Sequence, residues 1–112
     1  MFGSPAIPEM TVRELKTLMD EGKTPMLVDV RGEEEFAAVN LNGTLIRLDT
    51  LPARIGELEP YRDQLLVVHC RSGARSANAV QFLIANGFMN VRNLKGGILA
   101  WSREIDPSMP TY

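Results

Sequence analysis

Four apolar residues in an unbroken row, Leu65-Leu66-Val67-Val68, run straight into His69 and Cys70 and then into a loop of small and basic residues. An apolar run of this length that stops at a glycine-containing turn marks a strand buried on both faces, as in the interior of a parallel sheet. The row therefore predicts a central strand over 65–69 that delivers Cys70 to its carboxyl end.

The rest of the chain supplies neighbours for such a strand. Thr11 and Glu14 have capping-box spacing, and Val12, Leu15, Leu18 and Met19 recur at helical intervals up to Gly22, which predicts a short amphipathic helix. A strand is expected over 26–30, interrupted by Asp29, and then a helix over 33–39 with glutamates suited to its first turn. Further strands are expected over 44–48 and 91–94, with a helix over 51–58 between them that carries Pro52 at its start. Between about 75 and 86, Ala79, Val80, Phe82, Leu83 and Ile84 predict a helix too apolar to lie on a surface, closed by Gly87. Gly96-Gly97 reads as a turn, and a last helix over 98–105 stops before Pro107. Alternating strands and helices imply an α/β fold with a largely parallel sheet covered on both faces. A length of 112 residues suits one domain. Residues 1–10, rich in Pro, Gly and Ser, read as a loose lead-in or linker, which leaves 11–112 as the domain.

Charge and cysteine usage narrow the function. Twelve basic against fourteen acidic residues give a net charge of -2, so the molecule as a whole does not attract polyanions and nucleic acid is not an expected partner. No apolar run approaches the roughly 20 residues of a membrane helix, and the first residues lack the basic start and apolar middle of a secretory signal. A single cysteine forms no intramolecular disulfide, and a cytoplasmic setting is expected. One Cys and one His do not make up the usual zinc ligand sets, so no metal and no cofactor is expected.

The chemistry is expected at the loop Cys70-Arg71-Ser72-Gly73-Ala74-Arg75-Ser76, because ligands of open parallel sheets bind outside the carboxyl ends of the strands. Small side chains at Ser72, Gly73 and Ala74 let the backbone curl and aim successive N–H groups at one anion. The helix that follows adds its unpaired N–H groups and the positive end of its dipole. With Arg71 and Arg75 adding full charge, the thiol pKa of Cys70 is expected below its free value of about 8.5, which makes it a nucleophile at neutral pH.

This loop after an apolar strand resembles the active-site loop of the rhodanese family. Leu27-Val28-Asp29-Val30-Arg31, Gly43, and the stretch from Asn93 to Trp101 resemble further family motifs in order and spacing. The resemblance implies a three-layer α/β/α architecture around a mostly parallel five-stranded sheet. It also implies a ping-pong sulfurtransferase in which Cys70 takes sulfane sulfur from a donor such as thiosulfate and passes the persulfide sulfur on. Acceptors would be cyanide in vitro and a thiol or sulfur-carrier protein in vivo, with a cysteine desulfurase as another donor. Arg71, Ser72, Gly73, Ala74, Arg75 and Ser76 would line the substrate site. Related phosphatases and arsenate reductases are the alternative, but the phosphatase loop has one residue more between Cys and Arg, a wider cradle for a tetrahedral phosphate. From Val39 to Thr44 only Gly43 matches the family pattern, which bears on local loop shape. The closing segment 106–112 resembles the ends of rhodanese domains fused to adenylyltransferases that serve sulfur-carrier proteins, so a relay module of a larger protein is the second reading.

Each residue also has a plainer explanation. A lone cysteine is usually a small buried hydrophobe, and only its surroundings argue otherwise here. Arg75 at a helix start is unfavourable for the dipole and needs a separate reason to be present. Ser72 and Ser76 either donate to the sulfur or, for Ser76, cap the helix. His69 projects to the opposite face of the strand from Cys70 and is expected to be structural. Asp29 is expected to be a buried polar anchor with Arg31 or nearby backbone as its partner, and Trp101 is expected in the core.

Overall fold

The structure, a computed structural model, describes residues 7–111. Its five strands form one sheet in the order β1 (Glu9–Met10), β5 (Val91–Leu94), β4 (Leu66–His69), β2 (Met26–Asp29), β3 (Thr44–Leu45), and every pairing is parallel. The apolar row lies at the centre, with β4 paired to β2 on one side and β5 on the other. Alternate residues of these strands feed two separate cores, as the twofold repeat of a strand requires. Val28, Leu66, Val68 and Val91 face α3 (Leu51–Arg54) and α4 (Ala74–Ala85), together with Leu51, Ala79, Val80 and Leu83. Leu27, Val67 and Leu94 face α1 (Val12–Asp20) and α5 (Gly97–Glu104), with Val12, Leu15, Ile98 and Trp101. The sheet is thus covered on both faces, and Trp101 lies in the core as expected. No helix among the described residues is long and apolar enough to cross a membrane.

Several elements differ from their sequence expectation. The segment read as a loose lead-in supplies β1 in its last two residues, while residues 1–6 lie outside the described part. Met10 is buried against α1 and α5, its carbonyl accepts from Lys95 N–H at 2.8 Å, and the Pro8 carbonyl accepts from Asn93 N–H at 2.9 Å. An edge strand tolerates Pro8 because the outer side of the ladder needs no N–H from it. The strand expected over 44–48 closes after Leu45, and the helix expected over 51–58 stops at Arg54 and continues as tighter 3₁₀ turns over Ile55–Tyr61, a stretch that contains Gly56 and Pro60. Nor is α4 buried all round. It covers the sheet with Ser76, Ala79, Val80 and Leu83, while Ile84 is 45% exposed. The short α2 (Glu33–Ala38) buries no residue completely, and it carries Glu35 toward the loop after β4.

A buried ion pair fixes the carboxyl end of β2. Asp29 and Arg31 are both fully buried, with Arg31 Nη2 donating to Asp29 Oδ2 at 2.8 Å and Nε to Oδ1 at 3.0 Å. Arg31 Nη2 also donates to the Val39 carbonyl at 2.6 Å, which ties the end of α2 to the sheet. Beside the pair lies His69, fully buried, with Nε2 3.9 Å from Asp29 Oδ2 and neither ring nitrogen in good hydrogen-bonding geometry. Burial, reinforced by the Arg31 charge and opposed by Asp29, pushes its pKa down to about 4, so it is neutral at pH 7.

Two outcomes are expected from this cluster. Asp29→Ala strips a buried guanidinium of its carboxylate, and urea denaturation should show a loss of ~3–5 kcal/mol. For His69, the unfolded chain takes up a proton below about pH 6.5 while the folded one resists it down to about 4. Stability that is fully present above pH 6.5 is therefore lost as the pH falls through that window, by roughly 3 kcal/mol in all. In His69→Phe the loss between pH 6.5 and 4.5, above most carboxylate titrations, should largely vanish.

Candidate active site

Cys70 leaves the end of β4 and the chain turns at once, through Gly73 at φ +108°, into α4. A side chain would be strained at that φ, which explains the glycine. The turn aims backbone N–H groups inward. Cys70 Sγ receives Gly73 N–H at 3.1 Å and Ser76 N–H at 3.4 Å, and Ser76 Oγ lies 3.4 Å away. Cys70 is only 1% exposed. Burial alone is the largest single influence on the thiol and pushes its pKa up. Hydrogen bonds from the Ser76 hydroxyl and from the N–H groups of Ser76, Gly73 and Ser72 together outweigh burial, and the pKa lies below the ordinary thiol value.

The loop is held from behind. Ile98 N–H donates to the Cys70 carbonyl and Leu99 N–H to the Arg71 carbonyl, each at 3.0 Å. These N–H groups belong to the first turn of α5, where a helix has no partners of its own to offer them. The approach is so close that a Cβ on Gly97 would stand 2.3 Å from the Cys70 oxygen and 2.7 Å from the Arg71 oxygen, and φ there is +55°. Gly96-Gly97 is the expected turn, and Gly97 is in addition the point where backbone meets backbone.

Behind the thiol lies a buried polar side chain that sequence reasoning passed over. Asn93 of β5 is 4% exposed. Its Oδ1 accepts from Ser76 Oγ at 2.6 Å, and its Nδ2 donates to the Gly73 carbonyl at 3.1 Å. A legible signal existed: Asn93 shares one strand face with the apolar Val91 and lies near the carboxyl end of β5. Ser76 does not cap α4, because the N-cap is Gly73; it lies in the first turn with its hydroxyl between Asn93 and the sulfur.

The arginines behave differently from expectation. Arg75 forms a two-pronged pair with Glu35, Nη1 to Oε1 at 2.8 Å and Nη2 to Oε2 at 2.9 Å. Glu35 Oε1 also accepts Gly32 N–H at 3.0 Å, and its carboxyl is held down at about 2, chiefly by the Arg75 guanidinium. This pairing is the separate reason for a cation at a helix start. Arg71 is exposed, with Nε 3.4 Å from the Thr111 carbonyl. Neither guanidinium is hydrogen-bonded to Cys70 among the described contacts, so the lowered thiol pKa comes chiefly from N–H and O–H dipoles, with the Arg75 charge interacting with the sulfur only through space. Ser72 and Ala74 are exposed on the rim and Gly73 is half-buried. Of the residues expected at the site, Cys70, Gly73 and Ser76 converge on the sulfur, while the two arginine heads point to other partners. Glu35 was missed because nothing distinguishes it from Glu33 and Glu34 in sequence.

A model of the rhodanese-like domain matches residues 11–104, most of the chain. The chain belongs to the rhodanese-like family. It is 35% identical over 98 residues to a protein named sulfurtransferase from Allochromatium vinosum, covering 87% of this chain and 90% of that one. It is 35% identical over 114 residues to the adenylyltransferase and sulfurtransferase MOCS3-2 of Zea mays, covering 96% of this chain but 24% of that protein. The chain thus spans about a quarter of the length of the first relatives it matches. Its fold superposes on the crystal structure of a rhodanese-like domain protein from Staphylococcus aureus with a TM-score of 0.77 and 35% identity, over 85% of this chain and 91% of that one. The rhodanese-like sulfurtransferase family is therefore the right frame for the loop, and the expected α/β architecture with a five-stranded sheet is the observed one.

The packing of Gly97 on the loop carries a prediction. Gly97→Ala forces the Cys70 and Arg71 carbonyls away from α5, with an expected loss of roughly 2 kcal/mol or more in urea denaturation. Iodoacetamide alkylation of Cys70 in the same variant should titrate at higher pH, because a displaced loop no longer focuses its N–H groups on the sulfur.

Proposed function

We propose that this rhodanese-like domain transfers sulfane sulfur through a persulfide on Cys70. The observation that carries the reading is the convergence of the Gly73 and Ser76 N–H groups on Sγ within a loop that has four residues between Cys70 and Arg75. In the first half-reaction the Cys70 thiolate attacks the outer sulfur of a donor such as thiosulfate. A new S–S bond forms to Sγ, the donor's S–S bond breaks, and sulfite departs with the bonding pair. The negative charge then rests on the terminal sulfur, within the reach of loop N–H groups that need no reorganisation to meet it. In the second half-reaction a nucleophile attacks that terminal sulfur and the Cys70 thiolate leaves. Cyanide serves in the test tube and a thiol in the cell. Toward a sulfur-carrier protein the roles reverse, the terminal sulfur attacking the activated carboxyl as its activating group leaves. External thiols, oxidised to a disulfide, then reduce the acyl disulfide to the thiocarboxylate and free Cys70. With one cysteine in the chain, no internal thiol resolves the persulfide, so the acceptor comes from outside.

In this reading Ser72, Gly73, Ala74 and Ser76 form the cradle, and exposed Arg71 meets the anionic donor at the rim. Arg75 acts mainly by closing the loop onto Glu35. Such a narrow cradle ringed by N–H dipoles suits a single sulfur better than a tetrahedral phosphate.

A second reading is a relay module that receives sulfur from a cysteine desulfurase and uses thiosulfate poorly. Its support is the similarity over nearly the whole chain to a quarter of proteins named adenylyltransferase and sulfurtransferase. Mass spectrometry of the intact protein separates the two. Thiosulfate is expected to add the mass of one sulfur atom to the wild type and nothing to Cys70→Ala, with thiocyanate released on adding cyanide. Loading by a desulfurase alone would favour the relay. Cys70-dependent release of phosphate from an aryl phosphate, without sulfur loading, would overturn both.

A further inference from the structure

The hydrogen-bond polarity around Ser76 is fixed by a group remote from the sulfur. The Gly73 carbonyl only accepts, so the end of the Asn93 amide 3.1 Å from it is the NH₂ group. That leaves Oδ1, which also only accepts, 2.6 Å from Ser76 Oγ. A charged Sγ draws the hydroxyl's one proton to itself, but opposite the neutral thiol that proton is given, at this distance, to Asn93 rather than to Cys70 Sγ at 3.4 Å. In this state Ser76 turns a lone pair toward the thiol, which can donate its own S–H to it. All three side chains are nearly or wholly buried, so water does not substitute for a missing partner without cost.

We propose that Asn93 is a positioning residue for sulfur transfer: it sets the direction of the Ser76 hydroxyl and, through it, how much negative charge Cys70 Sγ retains. This rests on the persulfide reading given above. Because Asn93 competes for the hydroxyl, the thiolate is less stabilised than it would be beside an untethered Ser76, and it attacks a donor more readily, since intrinsic nucleophilicity falls as thiol pKa falls. When an acceptor takes the terminal sulfur, charge returns to Sγ and the hydroxyl rotates from Asn93 Oδ1 to the sulfur, which helps the thiolate leave. No proton enters or leaves the site in that rotation; one O–H bond turns between two acceptors. The Ser76 hydroxyl thus follows the charge on Sγ through both half-reactions, and Asn93 is the acceptor that takes it whenever that charge is absent.

A double-mutant cycle on the pH dependence of Cys70 alkylation by iodoacetamide tests the coupling, and the single cysteine makes the readout unambiguous. In Asn93→Leu the hydroxyl is released to the thiolate, and the midpoint should fall by ~0.5–1 pH unit. In a Ser76→Ala background the same substitution should leave the midpoint where Ser76→Ala alone puts it. An equal displacement in both backgrounds, or none in either, overturns the proposal, because Asn93 would then act through the Gly73 carbonyl or not at all. A measurement on the wild type needs no tolerance of leucine: the side-chain amide NMR resonance of Asn93 should titrate with the Cys70 midpoint, and a flat resonance across that titration is equally fatal. Alkylation requires no sulfur donor. Failure of the protein to load sulfur would therefore count against the persulfide reading and leave the Asn93 coupling to be judged on its own result.

Discussion

The site depends on one pair of hydrogen bonds, from the Ile98 and Leu99 N–H groups at the start of α5 to the Cys70 and Arg71 carbonyls. A peptide unit points its N–H and its C=O in opposite directions. For the loop to turn N–H groups toward one sulfur, its carbonyls must turn outward, where they need donors. The Arg71–Ser72 unit shows the arrangement: its carbonyl goes to Leu99, and its N–H is among those that favour the Cys70 thiolate. The first turn of α5 has N–H groups to spare, and only glycine at 97 lets the two backbones come close enough for them to reach. The anion cradle is therefore built by two helices with different tasks. The start of α4 faces the sulfur, and the start of α5 faces away from it and holds the loop in shape.

Dipoles instead of charges have a consequence for reactivity. Full positive charge beside a thiolate would lower its pKa strongly and make it a good leaving group but a sluggish attacker. Here the Arg75 guanidinium is paired with Glu35, and the chief influences on the sulfur are a small set of N–H groups and one hydroxyl acting against burial. The two sides oppose each other, because the largest contribution, desolvation, works against ionisation while the hydrogen bonds favour it. A thiol so balanced suits both attack and departure, which the proposed two-step sulfur transfer requires of it.

How far the sequence foretold this differs from element to element, for physical reasons. The central strand was legible because burial on both faces leaves no room for polar residues, and the loop because small residues and a lone cysteine follow it directly. Gly73 and Gly97 were visible as turn residues, and the anion-binding role of the backbone follows from the order strand, glycine loop, helix. The edge strand Glu9–Met10 was not legible: two residues carry no alternation, and the prolines around them mask it. The fate of Arg75 was also hidden, since its partner Glu35 is 40 residues away and one of three consecutive glutamates. Local pattern reports which residues are buried or turned, whereas ion pairs between elements depend on the register of the whole sheet. The role of Ser76 stayed open for the same reason, because it is decided by Asn93 on a strand that only the sheet order brings near.

That sheet order also explains why the polar residues behind the site do not form one network. His69 and Asp29 lie opposite each other in the pairing of β4 with β2, and Asn93 lies opposite Val68 in the pairing of β4 with β5. The Asp29–Arg31 pair, with His69 beside it, anchors the side of the loop toward α2, while Asn93 and Ser76 anchor the side toward β5. Between them Val68 and Cys70 belong to the apolar core under α4. Two polar clusters separated by apolar packing are electrostatically distinct: the first is a buried pair whose charges compensate each other, so little of its field need reach the sulfur, and the second carries no formal charge. The sulfur is thereby left to the dipoles of its own loop and to a single hydroxyl. A change of charge on Sγ during a reaction is then met by reorientation of one O–H bond rather than by a rearrangement of buried ions.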